Sequence, residues 1–285
     1  MTAAPVGLIA GAGRFPIVFA EKARQLGIPV ICIGIADMAD PALKDICTEF
    51  RYLKRLSLGF ALRLFRRYGV KQWTMAGKYH KHILFQPWKW LRFLPDWRAA
   101  KLWLSHRRRD NKDDSLLLSL IDAFRREGFD CLSALEICPE LLVVPGVLTR
   151  RGPTEKELAD IRFGWALAKE MGRLDIGQSV MIREKACIAV EAIEGTDRCI
   201  ERAGELCRKN GFAVVKVAKP QQDMRFDVPT IGPKTIETMR NAGASVLAIE
   251  AGRTIVLDEV ETIATANRAR IAIVAYADSD MANGG

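Results

Sequence analysis

The sequence predicts an α/β protein in which a Rossmann-like N-terminal domain is followed by a distinct C-terminal α/β domain. Apolar, strand-like runs alternate with helical patterns in both halves of the chain, as expected for sheets covered by helices. The chain has 285 residues, of which 49% are hydrophobic and 27% are charged, so each domain can bury a core of its own. Pro, Gly and Arg are concentrated at residues 143–153, which indicates a linker. We therefore expect domains over residues 1–145 and 146–285.

The N-terminal domain begins with a strand, a glycine-rich loop, a helix and a second strand. The strands are predicted over residues 6–10 and 30–35, with the loop at residues 11–13 and a helix that ends at Gly27 between them. Such glycines allow a phosphate or nucleoside to approach the backbone at the start of a helix, although a tight turn without a ligand fits almost as well. Pro16 replaces the third glycine of the dinucleotide fingerprint, which argues against an NAD-dependent dehydrogenase.

The rest of this domain adds helices and a further strand. Residues 56–68 and 115–126 have helical patterns, and residues 72–76 form a short strand that is followed by Gly77 and Lys78. A lysine just beyond the end of a strand is well placed to bind phosphate, while a solvated surface lysine is the more common explanation.

Residues 78–109 combine Lys and Arg side chains with tryptophans, against the single acidic residue Asp96. The tryptophans are Trp88, Trp90, Trp97 and Trp103. This composition suits a membrane surface, where rings lie at headgroup depth and cations meet anionic lipid. It also suits nucleic acid, or an amphipathic helical hairpin whose aromatic side chains belong to a core. The composition alone favours the hairpin, and no nucleic-acid-binding motif supports the second interpretation.

The cysteine and apolar patterns indicate a reduced, cytoplasmic protein. The seven cysteines are odd in number and scattered, and none forms a CxxC pair, which argues against a disulfide framework and a thiolate zinc site. His80, His82 and His106 have no acidic or thiol partners at ligand spacing. We find neither an apolar run of about eighteen residues nor a signal-peptide pattern.

The C-terminal domain begins with a helix over residues 154–171 that carries a Thr-x-x-Glu capping box. A hairpin over residues 179–190 then leads to residues 191–198, EAIEGTDR. We expect Thr196 to cap the next helix, so that the amides at the start of this helix lie beside two glutamates. Anion binding at the amides and cation binding at the carboxylates would suit phosphate chemistry. The cap alone, however, accounts for Thr196.

Residues 223–232, DMRFDVPTIG, place two carboxylates and a guanidinium within five positions. Pro229 disfavours helix at the residue before it, so the segment is expected to be extended or looped. In an extended segment Asp223, Arg225 and Asp227 would point to the same side. Carboxylates bind divalent cations and Arg binds phosphate, but an ion-paired strip on a solvated strand fits the spacing equally well.

Taken together, these motifs resemble those of one family, the LpxI-type UDP-2,3-diacylglucosamine diphosphatases of lipid A biosynthesis. The resemblance covers nearly the whole chain and depends on four stretches. They are residues 7–16 (GLIAGAGRFP), 191–198, 223–232 and 250–253 (EAGR). The second and third stretches in combination are the most specific.

The resemblance implies a metal-dependent hydrolase that uses magnesium or manganese to split UDP-2,3-diacylglucosamine into UMP and 2,3-diacylglucosamine 1-phosphate. It further implies a homodimer that binds the lipid between its domains and acts at the cytoplasmic face of the inner membrane. An acylated substrate raises the membrane-surface interpretation of residues 78–109 above the hairpin. The alternatives are a hydrolase of another sugar nucleotide and a non-catalytic nucleotide- or lipid-binding protein.

The predicted site residues combine the chemistry of the motifs with this resemblance. The predicted catalytic residues are Asp223, Arg225, Asp227 and Glu194. The predicted metal ligands are Asp223, Asp227, Glu191 and Asp197. The predicted substrate contacts are Gly11, Ala12, Gly13, Lys78, Gly195, Thr196, Arg198 and Thr230. Arg225 would stabilise the charge that develops on phosphate, and Glu191 or Glu194 would supply a third metal ligand or a general base.

Overall fold

The computed structural model describes residues 3–53, 57–78, 113–208 and 211–282, with side chains in the helix that starts at residue 113 described from residue 117. Contacts divide the chain into two compact units, Met1–Cys138 and Pro139–Gly285. The domain boundary predicted after residue 145 lies shortly beyond this division. The tryptophans of the basic stretch predicted at residues 78–109 lie outside the described residues. No helix within the described ranges is both long enough and apolar enough to cross a membrane.

The first unit is built on a five-stranded parallel sheet. Its strands are β1 (Val6–Ala10), β2 (Val30–Ile35), β3 (Glu49–Leu53), β4 (Gln72–Ala76) and β5 (Asp130–Cys131). The described helices of this unit are α1 (Phe15–Gln25), α2 (Leu43–Ile46), α3 (Leu58–Arg67) and α4 (Asp113–Arg126). The strand order is β3-β2-β1-β4-β5, so the chain reverses its direction of growth between β1 and β4. This order confirms the predicted Rossmann-like domain.

Aromatic side chains fill the space between this sheet and its helices. Trp73 of β4 stacks on Phe124 of α4 with ring centroids 4.2 Å apart, and Phe65 of α3 lies 6.0 Å from the Phe124 ring. All three side chains are buried, and burial of each stabilises the fold by about 1.5–3 kcal/mol. The strands β1 and β4 therefore pack on a well-filled aromatic core, which supports their carboxyl ends.

The second unit contains a mixed six-stranded sheet and a separate pair of short strands. The strands are β6 (Gly146–Val147), β7 (Ser179–Arg183), β8 (Ala186–Val190), β9 (Ala213–Lys216), β10 (Thr230–Ile231), β11 (Val246–Glu250), β12 (Ile255–Val256) and β13 (Ala272–Tyr276). The described helices are α5 (Glu155–Arg173), α6 (Thr196–Leu206), α7 (Pro233–Ala242), α8 (Glu259–Ala269) and α9 (Asp278–Ala282). The sheet order is β6-β13-β11-β9-β7-β8, and β10 pairs with β12. The predicted α/β character of this domain is confirmed.

Both faces of the larger sheet are buried, which explains its apolar central strands. Val214 belongs to the core on the side of α6, α7 and α8, whereas its neighbour Val215 packs with Trp165 of α5 on the other side. β9, β11 and β13 are parallel and end at Lys216, Glu250 and Tyr276. Ligands of open α/β sheets bind beyond the carboxyl ends of the parallel strands. A site is therefore expected at the edge of the sheet formed by these three strand ends.

Two helix starts in this unit test the predicted caps. The Thr154 hydroxyl accepts the Glu157 N–H, and the Glu157 carboxylate accepts the Thr154 N–H, so the capping box of α5 is confirmed. The N-cap of α6 is Gly195, with φ of 85°, and Thr196 is the first helical residue. The prediction that Thr196 caps this helix is therefore wrong, because glycine adopts the positive φ needed there and leaves the Thr196 hydroxyl to other partners.

Candidate functional site

The glycine loop after β1 is bonded to the residues that follow β4. The N–H of Ala12 donates to the Lys78 carbonyl oxygen at 2.9 Å, and the Lys78 N–H donates to the Ala12 carbonyl oxygen at 2.8 Å. The Gly11 N–H donates to the Ala76 carbonyl oxygen, also at 2.9 Å. The predicted contacts Gly11, Ala12 and Lys78 thus lie together where the strand order of the first sheet reverses.

These bonds limit what the loop can offer to a ligand. The N–H groups of Gly11 and Ala12 are already used within the protein, so they cannot bind a phosphate while the bonds persist. A Cβ atom on Gly11 would lie 2.7 Å from the Lys78 carbonyl oxygen, so the close approach of the two loops accounts for this glycine. Gly13, with φ of 98°, follows and leads into α1. Substrate binding here stays a prediction, and it would depend on Gly13 and the start of α1.

Thr196 connects two of the sequence motifs in the second unit. Its hydroxyl donates to Glu191 Oε1 at 2.9 Å and accepts a hydrogen bond from Lys216 Nζ at 3.0 Å. Lys216 Nζ also donates to the carbonyl oxygen of Thr230, at 3.3 Å. The predicted residues Glu191, Thr196 and Thr230 are therefore brought together around a lysine that was not among the predicted site residues.

Both charged members of this cluster are buried. Lys216 is 6% exposed and Glu191 is 7% exposed. Because an isolated buried charge is strongly unfavourable, the opposite charges joined through the Thr196 hydroxyl stabilise each other. Glu191 Oε2 is buried and has no hydrogen-bond partner among the described residues. Such an oxygen can accept a hydrogen bond from a ligand or coordinate a cation.

Glu194 has a different environment. Its Oε1 accepts a hydrogen bond from Arg202 of α6 at 2.6 Å, and its Oε2 accepts the Ala192 N–H at 3.1 Å. Burial acts to raise the pKa of Glu194, but hydrogen bonds from backbone amides and from Arg202 outweigh it and hold the pKa below its ordinary value. A general acid or base at neutral pH needs a pKa nearer to 7. Both oxygens of Glu194 are bonded, whereas Glu191 Oε2 has no hydrogen-bond partner among the described residues, so the hydrogen bonding favours Glu191 over the predicted Glu194 as a base or metal ligand.

Asp197 and Arg198 occupy the first turn of α6. Asp197 Oδ2 lies 3.9 Å from Lys234 Nζ, and that lysine side chain is 85% exposed, so the pair contributes little to stability. A carboxylate in the first turn interacts favourably with the helix dipole, which accounts for Asp197 without a metal. Arg198 is exposed. The predicted roles of both residues in binding metal or substrate stay predictions.

The segment that follows β9 is looped, as one of the two predicted conformations. The Asp227 N–H donates to the Asp223 carbonyl oxygen at 3.0 Å, which makes a turn, so the same-side geometry of an extended segment does not apply. The Arg225 guanidinium grips both carboxylate oxygens of Asp223, with Nε 2.9 Å from Oδ1 and 3.1 Å from Oδ2. These bonds to Arg225 hold the pKa of Asp223 below its ordinary value. A metal ion at Asp223 would have to share this carboxylate with Arg225.

Asp227 is held by a neutral side chain. Gln222 Nε2 donates to Asp227 Oδ2 at 2.7 Å, and Gln222 is only 7% exposed. Within the described chain, no side chain or backbone group donates a hydrogen bond to Asp227 Oδ1. Asp223 and Asp227 therefore differ in one respect that matters for chemistry: Asp223 is paired with the Arg225 guanidinium, whereas the Asp227 carboxylate has no cationic side chain as a partner among the described residues.

A buried carboxylate at the end of β11 anchors the start of the same loop. Glu250 is 2% exposed, and its Oε2 accepts the Ala218 N–H at 2.7 Å. Its Oε1 accepts a hydrogen bond from Lys169 Nζ of α5 at 2.8 Å. Arg253 donates to the Lys219 carbonyl oxygen at 3.3 Å. These contacts give the stretch EAGR at residues 250–253 a structural role in holding the loop that carries Asp223 and Asp227.

The described carboxylates limit how the predicted metal could be bound. In the part of the chain that the structure describes, no three His, Cys, Asp or Glu side chains are grouped so as to hold a metal ion. Magnesium is, however, commonly bound through one or two carboxylates together with water and substrate phosphates. Glu191 and Asp227 fit that mode, because each has a carboxylate oxygen without a partner among the described residues.

Sequence reasoning missed Lys216 and Gln222. A visible signal existed for Lys216, because it is the only charged residue in the apolar stretch at residues 211–218, GFAVVKVA. A lysine in a strand that is buried on both faces needs a buried partner, and that requirement points to a polar cluster. Gln222 carries no comparable signal, since its role depends on how the loop folds back.

Comparison with known proteins agrees with this division of the chain. The LpxI N-terminal domain family matches residues 5–141, and the LpxI C-terminal domain family matches residues 144–274. A UDP-2,3-diacylglucosamine pyrophosphatase LpxI from Caulobacter vibrioides is 32% identical over 276 residues, which cover 92% of this chain and 94% of that protein. Since both domains match in order and the similarity extends over nearly the whole length, this protein belongs to the LpxI family.

Proposed function

We propose that this protein hydrolyses the diphosphate of UDP-2,3-diacylglucosamine to UMP and 2,3-diacylglucosamine 1-phosphate, and that it requires Mg²⁺ or Mn²⁺ to do so. The proposal is carried by its 32% identity, over 92% of the chain, to a protein named for this activity. The cluster of Glu191, Thr196 and Lys216 supports it, because a buried lysine and a carboxylate oxygen without a hydrogen-bond partner among the described residues lie at the start of α6.

The residues of the second unit suit a diphosphate substrate. The start of an eleven-residue helix favours a phosphate group, and Lys216 adds a positive charge beside the first residue of that helix. Glu191 Oε2 and Asp227 Oδ1 are the oxygens that would hold the metal or orient the attacking water. When bound, a divalent cation would neutralise phosphate charge and lower the pKa of a water molecule. Arg225, oriented by Asp223, would place a guanidinium charge beside a phosphate group.

Hydrolysis of UDP-2,3-diacylglucosamine by the purified protein tests the proposal. We expect UMP release with Mg²⁺ or Mn²⁺ and its loss in EDTA, with recovery when the metal is added back in excess. UMP can be followed by chromatography, and the lipid product by mass spectrometry. Equal turnover of a UDP-sugar that lacks acyl chains would instead indicate a hydrolase of another sugar nucleotide. Nucleotide binding without metal-dependent turnover would indicate a binding protein.

We further propose that the protein works as a homodimer on the cytoplasmic face of the inner membrane. The acyl chains of the substrate require access to a bilayer, and the tryptophan-rich basic stretch at residues 78–109 has the composition of a membrane-surface segment. Changing Trp88, Lys89 and Trp90 to Ser is expected to weaken binding to anionic liposomes in a sedimentation assay. Thermal stability should be unchanged. Undiminished binding would contradict a membrane role for these three side chains.

A further inference from the structure

Gln222 bridges two ends of the loop that carries the predicted catalytic aspartates. Its Oε1 accepts the Lys219 N–H at 2.8 Å, and its backbone N–H donates to the Lys219 carbonyl oxygen at 3.1 Å. Its Nε2 reaches across the loop to Asp227 Oδ2 at 2.7 Å and lies 3.4 Å from Gln178 Oε1. Both ends of the amide are therefore used, which fixes its orientation.

Burial and neighbouring contacts hold the Gln222 side chain in one position against Asp227. Gln222 is 7% exposed, and Lys219, to which it is bonded, is itself held by Arg253 and by Asp175, the latter at 2.6 Å from Lys219 Nζ. Asp227 is half-buried. A buried amide on an anchored loop segment restricts the carboxylate to one orientation, which is what a precise site requires.

The group that Gln222 presents to Asp227 is neutral. An amide N–H orients a carboxylate without contributing a full positive charge, in contrast with the guanidinium of Arg225 that grips Asp223. The negative charge of Asp227 therefore stays available to a cation or a water molecule on its second oxygen.

We propose that Gln222 is a positioning residue for Asp227: it fixes Oδ2 so that Oδ1 faces the reacting groups. This inference rests on the proposed function, with Asp227 as a ligand of the metal. Loss of the Gln222 amide should then lower kcat for UDP-2,3-diacylglucosamine and weaken Mn²⁺ binding, each by about 10- to 100-fold, as for other groups that orient a metal ligand. KM should change much less, because the amide of Gln222 is not proposed to touch the substrate.

The test compares Gln222→Met with Gln221→Met, a matched change at the adjacent glutamine. Gln221 is exposed, and its Nε2 donates to the Gly172 carbonyl oxygen at 3.1 Å. This bond involves neither Asp223 nor Asp227. We expect kcat of Gln221→Met to stay within about twofold of the unmodified protein. Manganese binding is measured by electron paramagnetic resonance, which needs no substrate, and folding by thermal denaturation.

A second variant keeps the inference testable if Gln222→Met does not fold. Gln222→Glu preserves side-chain length and the acceptor for the Lys219 N–H, but it places a carboxylate oxygen against Asp227 Oδ2, where it can no longer donate. A folded Gln222→Glu protein should lose kcat at least tenfold, and a kcat within twofold of the unmodified protein overturns the inference. If the unmodified protein does not hydrolyse the substrate, the proposed function fails. In that case Mn²⁺ affinity decides the role of Gln222: a tenfold loss in Gln222→Met supports it, and an unchanged affinity overturns it.

Discussion

Replacing Lys216 with Met is expected to lower the free energy of unfolding by about 3 kcal/mol, the upper end of the cost of leaving buried polar groups without their partner. The substitution keeps the length of the side chain but removes the charge that stabilises the buried Glu191 carboxylate through Thr196. It also leaves the Thr196 hydroxyl and the Thr230 carbonyl oxygen without their shared donor. Chemical denaturation followed by circular dichroism measures the change.

A matched control and a double variant separate charge from shape. Lys234→Met removes an 85% exposed lysine from the same region and should change stability by less than about 0.5 kcal/mol. Adding Glu191→Gln to Lys216→Met removes the stranded charge, so most of the lost stability should return. Hydrolysis should not return with it, because both charged groups of the proposed site are then absent. If Lys216→Met is as stable as Lys234→Met, Lys216 does not stabilise the buried Glu191 carboxylate.

The sequence predicted the sheet framework well because that framework depends on local patterns. Strands β4 and β11 have the predicted bounds, residues 72–76 and 246–250, and the capping box of α5 forms as expected. Apolar periodicity, turn glycines and caps act over a few residues, so a single sequence contains them.

The site was harder to predict because its contacts join distant residues. Thr196 looked like a helix cap, but a glycine with positive φ took that position and freed the hydroxyl for Glu191 and Lys216. The spacing of Asp223, Arg225 and Asp227 suggested one shared site, whereas the turn pairs Arg225 with Asp223 alone. The spacing of these residues in the sequence determines neither outcome. The partners of Thr196 depend on how the loop after β8 folds, and the partner of Arg225 depends on how the loop after β9 folds.

Arg225 binds the carboxylate of Asp223, whereas only the neutral Gln222 side chain binds that of Asp227 among the described residues. This difference leads to the largest expected effect on activity. Asp227→Asn preserves the shape of the side chain but removes the charge that the proposed metal or attacking water requires. We expect kcat for UDP-2,3-diacylglucosamine to fall at least about 100-fold, the lower end for loss of a group that acts directly in the reaction. Stability should change little, because an amide oxygen can still accept the hydrogen bond from Gln222 Nε2.

Asp223→Asn provides the comparison, since it is the same substitution four residues earlier. Both oxygens of Asp223 are bound by Arg225, so its loss should act through a less firmly held guanidinium. A misplaced phosphate-binding group weakens substrate binding more than it slows the reaction, so KM should rise and kcat should fall less than in Asp227→Asn. The reverse order of kcat losses would show that Asp223 acts on the reacting groups and that its pairing with Arg225 is broken when substrate binds.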